Sequence, residues 1–516
     1  MSKRKINRRQ LFQAGAAAGM LAGAPASAAT LQKRGQGTEV YTRIGVRPFI
    51  NCTSTYTING GSAQLPDVIA AVQQAAHYHV NLDELQDAVG KRIAHLLGAE
   101  AAMVSSGAAG AVTCGTAACV AGGDPEAMQQ LPNTEGLRNE VIVPKWSRSQ
   151  YDQAVRNVGV RMVEVQTLDD VERALGPKTV MATGQANLQE STNPFTLEQF
   201  VAVLNKRKIP LLIDAAAELP LRPNPFLSRG ASLVAHSGGK ILRGPQTAGV
   251  LLGRKDLVTA AYRCSSPHMT FARAIKVSKE EIVGVLVAVE YLVERRDRNA
   301  EDREWKSWFQ HIAQRLKPIE GLRTKIVDPP LPSYYPVLNI EWDPARIGLI
   351  NADVGRQLLD GEPRIMTHAE GDGHSFVVRP AAMYPGEHLA VADRLYEVFR
   401  SAPAGKPKPV VSPPSVDLTG SWEVEIQFIA ARTKQKFFLS AHGNQLTGTF
   451  ASRIIDHGNV QGTIDGERVA FHNSSRYEGA SFHYRYFGKV QGDRMSGEVE
   501  LGEEYGTAQW TARRLG

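Results

Sequence analysis

Leu211-Leu212-Ile213-Asp214-Ala215-Ala216-Ala217 and, further on, Val234-Ala235-His236-Ser237-Gly238-Gly239-Lys240 decide how this chain is read. Each is an apolar run of strand length; an aspartate ends the first and a lysine follows the second. Pyridoxal-phosphate chemistry needs that pair. A lysine amine holds the cofactor aldehyde as a Schiff base, and a carboxylate keeps the pyridine nitrogen protonated so that the ring accepts electrons. Two ordinary strands with a surface lysine would share Ser-Gly-Gly-Lys, but Asp214 upstream and Gly244-Pro245-Gln246 downstream favour the cofactor site.

The neighbouring stretches supply the remaining parts of such a site. Ser106-Gly107-Ala108-Ala109 follows an apolar run and opens a helix of very small residues, Ala108 to Ala121. Backbone amides at a helix start without bulky side chains suit a dianionic phosphate, although a closely packed core helix has the same composition. Ser237 offers a hydroxyl to the same phosphate, and Ala216 is small enough for one ring face to lie against it. Lys240, once displaced by a substrate amine, is the candidate base for the α-proton. Arg379, in Val377-Val378-Arg379-Pro380, is the candidate for a substrate carboxylate, which a guanidinium grips at two points. A surface ion pair is the alternative reading of that arginine. His77 and His79 read as helix-surface histidines, and no spacing points to a metal site.

Short apolar runs alternate with amphipathic stretches: Ala101 to Val104, Glu140 to Val143, Met162 to Val165, Val180 to Thr183, Leu211 to Asp214 and Leu233 to Ala235 read as buried strands. That alternation predicts an α/β fold with a mainly parallel sheet covered on both faces. Pro66 to Leu97 has helical spacing interrupted near Asn81-Leu82, and Glu280 to Gln314 reads as one long helical passage into a small α+β domain. Pro-rich residues 401–415 mark a linker. Beyond it the period changes to two, with seven alternating runs between Gly420 and Leu501 separated by Gly, Asn or Asp turns. This is the pattern of an appended C-terminal antiparallel β-barrel or sandwich, expected to fold independently and to leave the site untouched if removed.

The chain has 516 residues, enough for several domains, and a net charge of +7. Lys3, Arg4, Lys5, Arg8 and Arg9 supply five of those charges, which leaves 7 − 5 = +2 and no general basic surface for nucleic acid. The start of the chain carries Asn7-Arg8-Arg9-Gln10-Leu11-Phe12, a small-residue run from Ala14 to Ala24 and Ala26-Ser27-Ala28. This is the form of a cleaved twin-arginine export signal, too short and too rich in Gly and Ala to span a bilayer, and it predicts a periplasmic or extracellular protein. Cys52, Cys114, Cys119 and Cys264 lack metal or redox spacing and read as buried thiols.

Together, Ile50-Asn51-Cys52, Asn59-Gly60-Gly61-Ser62, Asp83-Glu84-Leu85-Gln86, Ser105 to Ala109, Tyr151 to Arg156, the Asp214 run and Ser237 to Gln246 resemble the selenocysteine-synthase-like family of fold-type-I pyridoxal-phosphate enzymes. Within it the chain looks closer to the branch of amino-sugar-acid (glucosaminate) ammonia-lyases than to the seryl-tRNA selenium transferases. With the export signal placed over 1–28, the resemblance implies an N-terminal arm over 29–60 leading into the active site, a cofactor-binding large domain over 61–300 and a small domain over 301–400. The linker over 401–415 and the β-rich module over 416–516 lie outside the family pattern. The resemblance also implies that Arg273 and Lys276 lie near the site and contact phosphate or substrate. Where the family has a ring-stacking histidine this sequence has Ser147, and Trp146 is the candidate substitute, with a core tryptophan as the equal alternative. The implied activity is a lyase that eliminates water and ammonia from a hydroxylated amino acid or amino-sugar acid to give a 2-keto acid. It implies a small-molecule substrate and a homodimer or higher homo-oligomer. Seryl-tRNA selenium transfer is the first alternative; an aldolase, racemase or aminotransferase, or a non-catalytic binding protein, are others.

Overall fold

The computed structural model describes residues 38–515 apart from 191, 329–334, 406–410 and 503–504. The expected export signal over 1–28 therefore lies outside the described residues, as does part of the linker.

Seven strands form the central sheet: β1 Ala101–Ser106, β2 Glu140–Pro144, β3 Arg161–Val165, β4 Thr179–Gln185, β5 Leu211–Asp214, β6 Leu233–Ser237 and β7 Ala248–Gly253. Their order is β1-β7-β6-β5-β4-β2-β3. The pairs from β3 to β6 are parallel, and β7 runs antiparallel to both β6 and β1. Only residues 238–247 separate β6 from β7, too few for a parallel crossover, so the chain turns straight back and the lysine loop becomes the turn. Both faces are covered. Helix Gly107–Ala121 packs on one side and helices Pro66–Ala76, Leu82–Leu97 and Lys279–Glu294 on the other, and for that reason stretches such as Leu211–Ile213 and Leu233–Ala235 read as unbroken apolar runs.

Two sequence expectations change in detail. The break near Asn81 is a helix start, where the Asn81 side chain accepts the Asp83 amide at 2.8 Å. The long passage from Glu280 is two helices, Lys279–Glu294 and Arg298–Leu316, because Asp297 accepts the Ala300 amide at 3.0 Å and begins the second.

The small domain holds an antiparallel sheet of β8 Leu322–Val327, β9 Val337–Trp342 and β10 Ser375–Val378, in the order β10-β9-β8. Trp342 is its centre, meeting Phe376 and Phe399 edge-on. Ile50–Asn51 of the arm pairs in parallel with Ile365–Met366, which ties the arm to this domain.

The β-rich module is a closed eight-stranded barrel running from Gly420–Gln427 to Thr507–Arg514. The last strand, not among the seven runs read from the sequence, closes it by pairing antiparallel with the first, Trp510 opposite Ile426. Trp422, Phe437, Phe471, Tyr486 and Trp510 fill the interior, with Phe471 stacked on Tyr486 at 4.6 Å. Among the described residues no helix is long and apolar enough to cross a membrane. All four cysteines are buried and unpaired, and burial pushes the Cys52 thiol up to about 12.

Candidate active site

The chemistry-bearing residues collect at the carboxyl ends of the sheet strands, where open α/β sheets leave a crevice. Asp214 ends β5 and is half-buried; the Ala216 amide donates to its Oδ1 at 3.0 Å. Burial raises the Asp214 carboxyl above its ordinary value, against smaller opposing effects of that amide and of the Lys240 charge. Lys240 lies in the turn after β6, and burial lowers its amine below the ordinary value while the charges of Asp214 and Glu218 oppose the shift. Each group is thus partly withdrawn from water, and each charge opposes the shift of the other.

The loop around Lys240 is braced from the arm. The Ser62 amide donates to the Gly239 carbonyl at 3.0 Å, and Gln246 Nε2 to the Thr57 carbonyl at 2.9 Å. Asn51 organises the arm itself: its Oδ1 accepts the Thr53 amide at 2.9 Å and hydroxyl at 2.7 Å, and its Nδ2 donates to the Ser54 carbonyl at 2.9 Å. His236, inside the Asp214–Lys240 motif pair, is fully buried between Asn224 and the Glu218 carbonyl, and burial lowers it to about 4. It is a neutral structural histidine.

Ser106 ends β1, and Gly107 and Ala108 start helix Gly107–Ala121. Gly249 of β7 lets that start approach the sheet: a Cβ there would lie 2.2 Å from the Gly107 carbonyl carbon. An open cleft of about 390 Å³ lies between this helix start and Tyr151, walled by Ser106, Ala109, Gly110, Gln150 and Ile275. Ser237 ends β6, half-buried, next to the lysine turn. Arg273 is half-buried, with Nη1 within 3.4 Å of Ser266 Oγ and a buried Nε that has no partner. Lys276 is exposed.

Arg379 follows β10, and its amide donates to the Cys52 carbonyl at 2.9 Å, which places it at the arm. The surface ion pair considered for it is not found among the described residues. Trp146, the expected ring partner, instead packs edge-on against Phe195 at 4.8 Å, its indole N–H buried and unpartnered. Ser147 is buried, its hydroxyl donating to Asn187 Oδ1 at 3.0 Å and accepting the Gln185 amide at 2.6 Å. The aromatic residue that reaches the lysine is Tyr151, whose ring centroid lies 5.8 Å from Lys240 Nζ. Tyr151 is 54% exposed, so its ring remains open to a flat ligand. Its position in Arg148-x-x-Tyr151-Asp152 marked the stretch in the sequence, but nothing there singled out its ring.

These residues fit pyridoxal phosphate. The open Tyr151 ring borders the cleft together with the bare helix start, Lys240 Nζ reaches the same ring, and the half-buried Asp214 carboxylate and the Lys240 amine act on each other by charge. Among the described residues no group of three or more His, Cys, Asp or Glu could hold a metal ion.

The family model for class-V aminotransferases matches residues 144–375. A 5'-C-glycyluridine monooxygenase-decarboxylase from a Streptomyces species is 32% identical over 385 residues, 71% of this chain and 94% of that protein. D-glucosaminate-6-phosphate ammonia lyase from Salmonella typhimurium is 28% identical over 374 residues, 70% of this chain and 98% of that protein. A solved structure of D-glucosaminate-6-phosphate ammonia-lyase superposes with a TM-score of 0.63 at 28% identity, again over 70% of this chain and 98% of that one. An L-seryl-tRNA(Sec) selenium transferase from Moorella thermoacetica is 27% identical over 274 residues, 47% of this chain and 55% of that protein. The chain belongs to the selenocysteine-synthase-like family of fold-type-I pyridoxal-phosphate enzymes.

Proposed function

We propose that the protein is a pyridoxal-phosphate-dependent lyase that converts a hydroxylated amino acid or amino-sugar acid into a 2-keto acid and ammonia. The observation that carries the reading is Lys240 set against the Tyr151 ring and coupled by charge to Asp214, in a chain that covers an ammonia lyase almost end to end. When bound, the cofactor supplies an electron sink for the substrate α-carbon. Lys240 would hold its aldehyde and, when the substrate amine takes over that bond, accept the α-proton at Nζ; the desolvation that lowers its basicity keeps this amine ready to act. Asp214 would hold a proton at the pyridine nitrogen, an arrangement in which its own buried charge gains a partner. The amides of Ser106, Gly107 and Ala108, with the Ser237 hydroxyl, would take the phosphate, and Arg273 the phosphate or a substrate anion. Arg379 would take the substrate carboxylate. Ala216 and Tyr151 would face the two sides of the ring. The β-hydroxyl leaves as water and hydrolysis returns one water, so the net change is loss of ammonia.

The test is a panel of D- and L-hydroxy amino acids and amino-sugar acids offered to the purified protein, with ammonia and keto acid assayed together. Equal yields of both from at least one member support the lyase; ammonia without keto acid, or neither, contradicts it. A second reading, oxygen-dependent loss of the substrate carboxylate, is favoured by the 32% identity to the monooxygenase-decarboxylase. Oxygen uptake with carbon dioxide release in the same panel distinguishes it. Selenium transfer to seryl-tRNA is less favoured, because the charge left after the first 28 residues is near neutral. Export through the twin-arginine signal and assembly as a homodimer or higher homo-oligomer complete the proposal; N-terminal sequencing of the secreted form and sedimentation check them.

A further inference from the structure

The barrel touches the active-site wall. Its strands Arg468–Tyr477 and Ala480–Gln491 are joined by the two-residue loop Glu478-Gly479, with φ of 50° and 84°. Positive φ at both central residues is what a tight hairpin between right-twisted strands requires, and glycine meets it at no steric cost. Gly479 has a second reason to be glycine. A Cβ there would lie 2.4 Å from the Ser149 carbonyl oxygen and 2.8 Å from Asp152 Oδ2, so the hairpin tip packs its backbone directly on residues 149–152.

Glu478 fixes the contact electrostatically. Its Oε2 is 2.6 Å from Arg148 Nη2 and 3.7 Å from Arg156 Nε, and the Tyr477 ring lies 5.8 Å from the Arg156 guanidinium carbon. The Arg148 side chain is only 8% exposed and also pairs with Asp152 and Glu164. A cation this buried needs its carboxylates, and Glu478 is the one supplied from the barrel. From Arg148 the connections lead into the site. Ser149 Oγ accepts from Gln185 Nε2 at 2.6 Å and from the Tyr151 amide at 3.2 Å, the Tyr151 ring faces Lys240, and the Asp152 charge bears on Asp214.

We propose that the Glu478-Gly479 tip is a positioning element of the active site: through Arg148 it fixes residues 147–152 and thereby sets the Tyr151 ring over Lys240. The barrel then completes the cofactor-binding wall of an enzyme whose relatives are covered by about seven-tenths of this chain, and the expectation that its removal leaves the site untouched gives way to this contact. The inference rests on the reading of the Tyr151–Lys240 cleft as the cofactor site.

Glu478→Ala, Glu478→Asp and Gly479→Ala, each in the full mature chain, test it by three readouts. These are amide hydrogen exchange over 147–152 without cofactor, the dissociation constant for pyridoxal phosphate, and the visible absorbance of the loaded protein against pH. Glu478→Ala is expected to speed exchange over 147–152 and to weaken cofactor binding about tenfold, the scale of a lost hydrogen bond to a charged group. It should also shift the absorbance profile, with barrel exchange unchanged. Gly479→Ala should act in the same direction, and Glu478→Asp should restore part of the loss. Unchanged exchange over 147–152 overturns the clamp whatever the cofactor does. Faster exchange with unchanged affinity and absorbance shows a docking contact only and also overturns it. If the loaded wild-type protein carries no cofactor on Lys240, the reading of the cleft fails first, and the proposal with it.

Discussion

The large sheet and the barrel spend their residues in opposite ways. In the sheet, β4, β5 and β6 are buried along most of their length, with only Thr179, Thr183 and His236 polar inside, and Gln185, Asp214 and Ser237 stand at their carboxyl ends. In the barrel, period-two alternation sends Trp422, Phe437, Phe471, Tyr486 and Trp510 inward until the lumen is closed by rings. The sheet leaves an opening at its strand ends with titratable groups beside it; the barrel interior is packed with rings around buried Gln435 and Asn473 and carries no titratable carboxylate or amine among the buried residues. What the barrel offers other parts of the protein is therefore its outer face and its turns, and one turn reaches the sheet's open edge.

The largest effect expected from this contrast is on rate. Lys240→Ala should lower turnover by about a thousandfold or more, within the usual worth of a positioned base, with circular dichroism unchanged, since the side chain lines the cleft and supports little packing. Asp214→Ala should retain cofactor yet cost about a hundredfold in kcat, the scale for removing one electrostatic stabiliser, and Asp214→Glu should fall between. Unchanged kcat in either alanine variant would erase the assignment of the sheet edge as the reactive one.

In the barrel the same kind of truncation should act on stability. Phe471→Ala removes a ring that meets Phe437, Tyr486 and Trp510 and should destabilise the barrel by about 3–5 kcal/mol in thermal unfolding. A loss below about 1 kcal/mol would mean that the lumen tolerates a void. A smaller, pH-dependent effect comes from His236. Burial lowers it from 6.5 to about 4, so between those values the unfolded chain binds the extra proton. Its contribution is complete above pH 6.5 and is lost as pH falls towards 4, by at most about 3 kcal/mol. Half-buried His388, lowered to about 4 by burial and the His311 charge, adds a slope of the same sign. His236→Gln should flatten part of that acid limb; an identical slope in the variant would assign the whole limb to other groups.

Legibility in the sequence followed the same division. Strand runs such as Leu211–Asp214 were readable because a strand buried on both faces has no polar interruptions, and the barrel because alternation is its only economical pattern. Ala248–Gly253 escaped notice because its apolar run is interrupted by glycine and leaves only Val250-Leu251-Leu252 as a continuous strand-forming stretch beside a glycine-rich turn. The break before Arg298 was hidden by charged residues that suit a helix and a helix cap equally. Asp214 and Lys240 were legible as chemistry, but Trp146 stood as either the ring partner or a core tryptophan, because its place in the motif said nothing about where the indole points, and nothing pointed to the Tyr151 ring. The hairpin contact was beyond reach. Arg148 and Glu478 are 330 residues apart, and a charged turn residue in a hairpin reads as solvated until its partner is seen.

The central claim is that the turn after β6 presents Lys240 as the residue that carries the cofactor, opposite Asp214. The direct measurement is to load the purified protein with pyridoxal phosphate, reduce it with borohydride and map the modified peptide by mass spectrometry. The account predicts a yellow protein that bleaches on reduction, with a single pyridoxyl adduct on Lys240. An adduct fixed on another lysine, or none from a folded protein at saturating cofactor, would contradict it.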